Sequence, residues 1–186
     1  MGKLVVTEFI TLDGVIEDPG GAGGGRGGWA FKFDQGDEGG KFKFDELMAS
    51  DAQLLGRVTY EGFAKAWPTM EGTGEFGEKM NEMPKFVVSK TLENPEWNNT
   101  TVLKGDLAQE VGKLKEQFAG DILVAGSAQL VQSLLAHDLV DELHLMVFPI
   151  VLGAGKRLFA DGTDSTSLNL VETKQTGSVV TLTLRR

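Results

Sequence analysis

Two segments of the chain share one plan: a short apolar run, a glycine, and then a helix. Asp51-Ala-Gln-Leu-Leu-Gly56 leads into Arg57 to Trp67, where Val58, Phe63, Ala64 and Trp67 recur at helical spacing until Pro68 stops them. Asp121-Ile-Leu-Val-Ala-Gly126 leads into Ser127 to Ala136, with Ser127 placed to cap the helix. An apolar run too short to be a helix and bounded by glycine reads as a strand covered on both faces, which belongs in a parallel sheet. Strand followed by helix, twice, restricts the chain to the α/β class.

The remaining segments fit that class. Lys3 to Ile10 and Lys85 to Ser89 read as strands, Thr101 to Leu103 as a short one, and Val140 to Phe148 as a long one broken at Pro149. Phe44 to Ala49, Glu75 to Met83 and Asp106 to Phe118 read as helices, the last amphipathic and capped by Asp106. Ser167 to Gln175 and Ser178 to Leu184 alternate around Thr176-Gly177 like a hairpin. We expect a three-layer α/β/α architecture with a mainly parallel mixed sheet and a C-terminal antiparallel hairpin. With neither a repeat nor a linker, the 186 residues read as a single domain carrying a glycine-rich loop over 17–40.

In an open sheet of this kind, ligands bind beyond the carboxyl ends of the strands. There a glycine lets the backbone approach closely, and the free N–H groups of a helix start meet an anion. Gly56-Arg57-Val58-Thr59 and Gly126-Ser127-Ala128-Gln129 are therefore candidate phosphate seats, against the plainer reading of tight turns. Arg57 adds a guanidinium able to grip a phosphate through two hydrogen bonds.

Other motifs fall away on context. Gly23, Gly25 and Gly28 fit G-x-G-x-x-G by spacing, but no strand runs into them and Trp29-Ala-Phe-Lys-Phe33 does not read as a first helical turn. Gly153-Ala-Gly155-Lys156 lacks the first glycine and the closing Ser or Thr of a P-loop. The glycine stretch reads as an insertion or as a lid over a substrate. His137 and His144 read as structural, and the carboxylate pairs Asp13 with Glu17 and Asp37 with Glu38 as capping or solvated groups. Without cysteine there is no thiolate nucleophile or zinc-thiolate site, and with two histidines no metal centre is expected. A net charge of −9 argues against nucleic acid and anionic membranes as partners. The start of the chain shows no apolar signal region, so we expect a soluble, cytoplasmic protein.

Leu54-Leu-Gly-Arg-Val-Thr-Tyr-Glu61, Val124-Ala-Gly-Ser-Ala-Gln-Leu130 and Leu139-Val-Asp-Glu-Leu143 together resemble the dihydrofolate-reductase-like superfamily. The closest likeness is to the reductase domain of the bifunctional riboflavin-biosynthesis deaminase-reductase and its stand-alone relatives. Thr11-Leu-Asp-Gly14 and Pro149 to Phe159 agree in content and order, and the likeness runs from about residue 3 to 184.

The resemblance implies a homodimeric, NADPH-dependent reductase that passes a hydride to a C=N or C=O group of a small polar, pterin- or aminopyrimidine-like substrate. It implies that Gly56, Arg57 and Thr59 hold cofactor phosphates and that Ser89 and Lys90 meet the adenosine 2′-phosphate. Gly126, Ser127, Ala128, Gln129 and Leu130 would wrap the pyrophosphate and nicotinamide side. Phe9, Leu12 and Gly14 would line the nicotinamide, and Trp29, Met146 and Phe148 would face substrate. Asp13 is the candidate acid. Dihydrofolate reductases carry a cis-linked glycine pair where this chain has Gly126-Ser127, and their pterin-protonating acid has no clear counterpart here. A silent nucleotide-binding regulatory module is the alternative.

Overall fold

The computed structural model describes residues 1–23 and 25–186; Gly24, inside the predicted glycine loop, lies outside the described residues. The first strand, β1 (Leu4–Thr11), is buried at every position except the half-buried Phe9. It lies between two parallel neighbours, β5 (Asp121–Val124) and β6 (Glu142–Phe148). β2 (Ser50–Gly56) pairs in parallel with β5 and with β3 (Lys85–Val88), and β3 pairs with β4 (Thr100–Leu103). β8 (Val179–Arg185) runs antiparallel to β6 and pairs with β7 (Asn169–Thr176). One sheet results, in the order β4-β3-β2-β5-β1-β6-β8-β7.

Alternation along the buried strands sorts side chains into two cores. Leu4, Val6, Leu54 and Ile122 face α4 (Leu107–Gln117) and α5 (Ala128–Ala136), packing on Val111, Leu114, Val131 and Leu134. Val5, Leu55, Val87 and Leu123 face the other way, where α1 (Gly36–Met48), α2 (Arg57–Ala66) and α3 (Gly74–Glu82) bring Leu47, Tyr60 and Met80. Helices on both faces of the sheet complete the expected three layers. Among the described residues, no helix is long and apolar enough to cross a membrane.

Three local expectations change. α1 begins at Gly36 rather than at Phe44. Its glycines reflect close approach to the hairpin turn: a Cβ on Gly36 would stand 2.7 Å from Thr176 Oγ1, and the Gly39 N–H donates to that same oxygen. Trp29–Lys32 forms a 3-10 turn inside the stretch expected to be irregular, and Trp29 is fully buried against Phe148. Ser127 occupies the cap position of α5 without a side-chain capping bond, whereas Asp106 caps α4 by accepting from the Gln109 N–H.

Candidate functional site

The parallel strands β1, β2, β3, β5 and β6 all end on one edge of the sheet. β2 and β5 are neighbours, yet their connections leave in opposite directions: α2 leads to β3 on one side, and α5 crosses to β6 on the other. Such a divergence opens a crevice at the carboxyl ends of the two strands, the usual ligand site of an open α/β sheet. The two predicted junctions meet at this divergence. The Gly56 N–H donates to the Gly126 carbonyl at 3.1 Å, and a Cβ on Gly56 would stand 2.9 Å from the Ser127 nitrogen. Gly126 has φ 95°, a conformation that favours glycine, and the Gly126-Ser127 peptide is cis. Neither α2 nor α5 has a side-chain hydrogen bond from its N-cap residue, which makes their first-turn N–H groups candidate anion donors.

The sequence matches the RibD C-terminal domain family over residues 2–182. The chain belongs to that family. It is 30% identical over 183 residues to the uncharacterized protein YwjB of Bacillus subtilis (strain 168), covering 97% of this chain and 95% of that one. Among solved structures, a putative riboflavin biosynthesis protein from Shewanella sp. PV-4 superposes with a TM-score of 0.78 at 23% identity, covering 99% of this chain and 98% of the other. A diaminohydroxyphosphoribosylaminopyrimidine deaminase/5-amino-6-(5-phosphoribosylamino)uracil reductase from Thermotoga maritima superposes with a TM-score of 0.64 at 19% identity. This chain covers 56% of that longer one and is itself covered to 99%. The fold of this RibD C-terminal domain is dihydrofolate-reductase-like.

The predicted cofactor residues stand along the sheet edge in spatial sequence. Ser89 and Lys90 follow β3, Gly56, Arg57 and Thr59 follow β2, Gly126 to Leu130 follow β5, and Leu12 and Gly14 follow β1. From β3 to β1 the edge crosses three strand spacings, about 14 Å at roughly 4.8 Å each. Lys90 is exposed, while the Ser89 hydroxyl accepts the Thr91 and Leu92 N–H groups and so fixes the turn after β3. Arg57 is held on its own helix by Glu61, 3.0 Å away. Thr59 is half-buried beside Gly126; Ala128 and Leu130 point into the core, leaving their backbone and the exposed Gln129 to meet a ligand. Leu12, just after β1, is 64% exposed.

The other predicted contacts take different places. Asp13 accepts hydrogen bonds from the Thr11 hydroxyl and from the Leu152 and Gly153 N–H groups. The Thr11 and Gly153 bonds chiefly lower its carboxyl to about 2, so it has no proton to give near neutrality and instead ties the turn after β1 to the segment after β6. Trp29, Met146 and Phe148 are essentially fully buried. They form a packed floor, with the half-buried Phe9, Phe33 and Phe42 above it, rather than a surface that a substrate touches directly.

Sequence reasoning missed a buried charged cluster beside this floor. His144 bridges two carboxylates, Nδ1 to Glu46 at 3.0 Å and Nε2 to Glu142 at 2.8 Å. Two acceptors require both ring nitrogens to donate, which is the imidazolium form. Burial works against that charge, but the hydrogen bonds to Glu46 and Glu142 outweigh it and raise the His144 pKa. Burial also opposes the Glu46 carboxylate, and Lys43, His144 and Thr7 together hold it below its ordinary value. Lys43, paired with Glu46 and bonded to Thr7, also sits 5.2 Å from the centre of the Phe9 ring. A second missed group is Glu8, whose buried Oε1 has no hydrogen-bond partner among the described residues. A visible signal existed for it: an acid in the middle of a strand apolar on both faces.

Proposed function

We propose that the protein is an NADPH-dependent reductase delivering a hydride to a C=N or C=O carbon of a small polar, pterin- or aminopyrimidine-like substrate. The observation that carries this reading is the order of groups along the sheet edge. A cation and a hydroxyl at β3, two uncapped helix starts at β2 and β5, and an apolar wall at β1 match the 2′-phosphate, pyrophosphate and nicotinamide of one extended dinucleotide. The donor set fits such a cofactor, because in a chain of net charge −9 the anion is met by local N–H groups, Arg57 and Lys90. When bound, the cofactor supplies the hydride. The chain orients it across the crevice and keeps water from the ring with Phe9 and Leu12. Family membership supports a reductase-like role in riboflavin biosynthesis.

The test is the absorbance of reduced nicotinamide with pterins, aminopyrimidine ribosides and carbonyl compounds. Oxidation with one class, and preference for NADPH over NADH that Lys90→Ala abolishes, is expected. Tight binding without oxidation of any compound would leave the regulatory-module reading in its place. We also propose a homodimer. β7 is an edge strand with Leu170 58% and Val171 47% exposed, a pairing surface that a second copy can cover. Sedimentation of Leu170→Lys is expected to show monomer where the parent chain shows dimer.

A further inference from the structure

We propose that Glu8 is the proton-carrying contact of the dinucleotide seat: as a neutral acid it gives a hydrogen bond to an acceptor oxygen of the bound dinucleotide, and binding is coupled to its proton. The inference rests on the cofactor seat proposed above and assigns a buried group there that the seat does not yet use.

The geometry comes first. Glu8 is the β1 residue facing the end of β5, on the α5 side of the sheet that Leu4, Val6 and Ile10 share. Its Oε1 lies 3.8 Å, and Thr59 Oγ1 2.8 Å, from the point that a Cβ on Gly126 would occupy. The carboxyl therefore sits where the two corners of the crevice meet. Its Oε1 is buried without a hydrogen-bond partner among the described residues, and the residue keeps 7% of its surface. A buried polar atom left unpaired is costly, so a structure that retains one at a ligand crevice leaves it for a ligand.

The charges around Glu8 decide which form it takes. From α1 it feels the Lys43 ammonium and the Glu46 carboxylate. α5 carries no titratable side chain from Ala128 to Ala136, and on α2 Arg57 is already paired with Glu61. His144 on β6 lies on the opposite face, bound to Glu46 and Glu142. Burial raises the Glu8 carboxyl to about 8, with Lys43 opposing and Glu46 adding to it. The neutral acid is the form that can donate, and it spares an anionic cofactor a second negative charge. Above that pH the carboxylate loses its proton, repels phosphate and can no longer donate.

NADPH binding to the full chain, followed by nicotinamide fluorescence from pH 7 to pH 9.5, tests this. The Kd is expected to be flat to about pH 8 and then to rise, approaching tenfold per pH unit for a single linked proton. In Glu8→Gln, whose amide still donates but does not titrate, that rise should vanish. Calorimetry of the parent chain in two buffers of different ionisation enthalpy, at about pH 8.5, should show proton uptake on binding and needs no variant. Binding with no proton uptake, or with the same pH profile in both proteins, overturns the role of Glu8 and leaves the cofactor seat standing. No NADPH binding at pH 7 by the parent overturns the seat and this inference together.

Discussion

Arg57 stands at the head of α2 with its guanidinium engaged by Glu61, both side chains nearly half exposed. An exposed pair one helical turn apart contributes only about 0.3–0.5 kcal/mol, whereas a hydrogen bond to a charged phosphate contributes about 1.5–3 kcal/mol. A bound phosphate would therefore outcompete Glu61 for the guanidinium. Arg57→Ala is expected to raise the Kd for NADPH roughly tenfold or more, and Glu61→Gln to lower it about twofold by freeing Arg57. Fluorescence titration measures both, and unchanged affinity in Arg57→Ala removes that residue from the seat. The placement of Arg57 was legible because its signal is local, a cation placed directly after a strand and a glycine. Asp13 was not, because its three hydrogen-bond donors include Leu152 and Gly153, distant in sequence, and only they reveal a clamp where an acid was expected. The Glu46 to His144 bond was hidden for the same reason, since 98 positions separate its partners.

Among the elements, the glycines divide by what surrounds them. Gly126 sits at φ 95°, and a Cβ there would come 2.8 Å from Thr59 Oγ1. Gly126→Ala is therefore expected to lower stability by about 1–3 kcal/mol in urea unfolding and to weaken cofactor binding. Gly62 lies inside α2 with nothing within 4 Å of a Cβ, so Gly62→Ala should stabilise by about 0.4–1 kcal/mol. Opposite signs from one substitution separate a corner glycine from a merely tolerated one. The strand-glycine-helix units announced themselves because period and punctuation agreed. The start of α1 did not: Gly36, Gly39 and Gly40 read locally as loop, and only contact with the β7–β8 turn makes them helical. The glycine loop likewise looked unanchored until Trp29 appeared beneath it, its indole N–H donating to the Glu17 carbonyl. Trp29→Ala should cost about 3–5 kcal/mol, read by urea unfolding, an outcome a floppy insertion would not give.

At the scale of the whole molecule, two buried groups, Glu8 and His144, lower stability as pH rises between 5.5 and 8. The unfolded chain ionises Glu8 at its ordinary 4.5, while the folded chain keeps that proton to about 8. Between those values the folded state holds more protons than the unfolded one, so stability falls as pH climbs. His144, its folded pKa raised, adds to the trend: its contribution is complete below about 6.5 and is lost as pH rises through the folded value. Glu46 and Glu142 are shifted below 4.5, so their contribution is present above 4.5 and is lost only in acid. Lys85 works the other way, because burial lowers it to about 8 and relieves the folded state only above that pH. The comparison that isolates the trend is therefore pH 5.5 against pH 8. Glu8 alone accounts for about 3 kcal/mol over that interval, which for a chain of this length is roughly 10 °C in Tm. The parent chain is expected to melt higher at pH 5.5 than at pH 8. Glu8→Gln should lose most of the difference and keep the smaller part that His144 supplies. Equal melting temperatures for the parent chain at the two pH values would mean that Glu8 is ionised in the folded protein, and its burial would then need a counter-charge beyond Lys43.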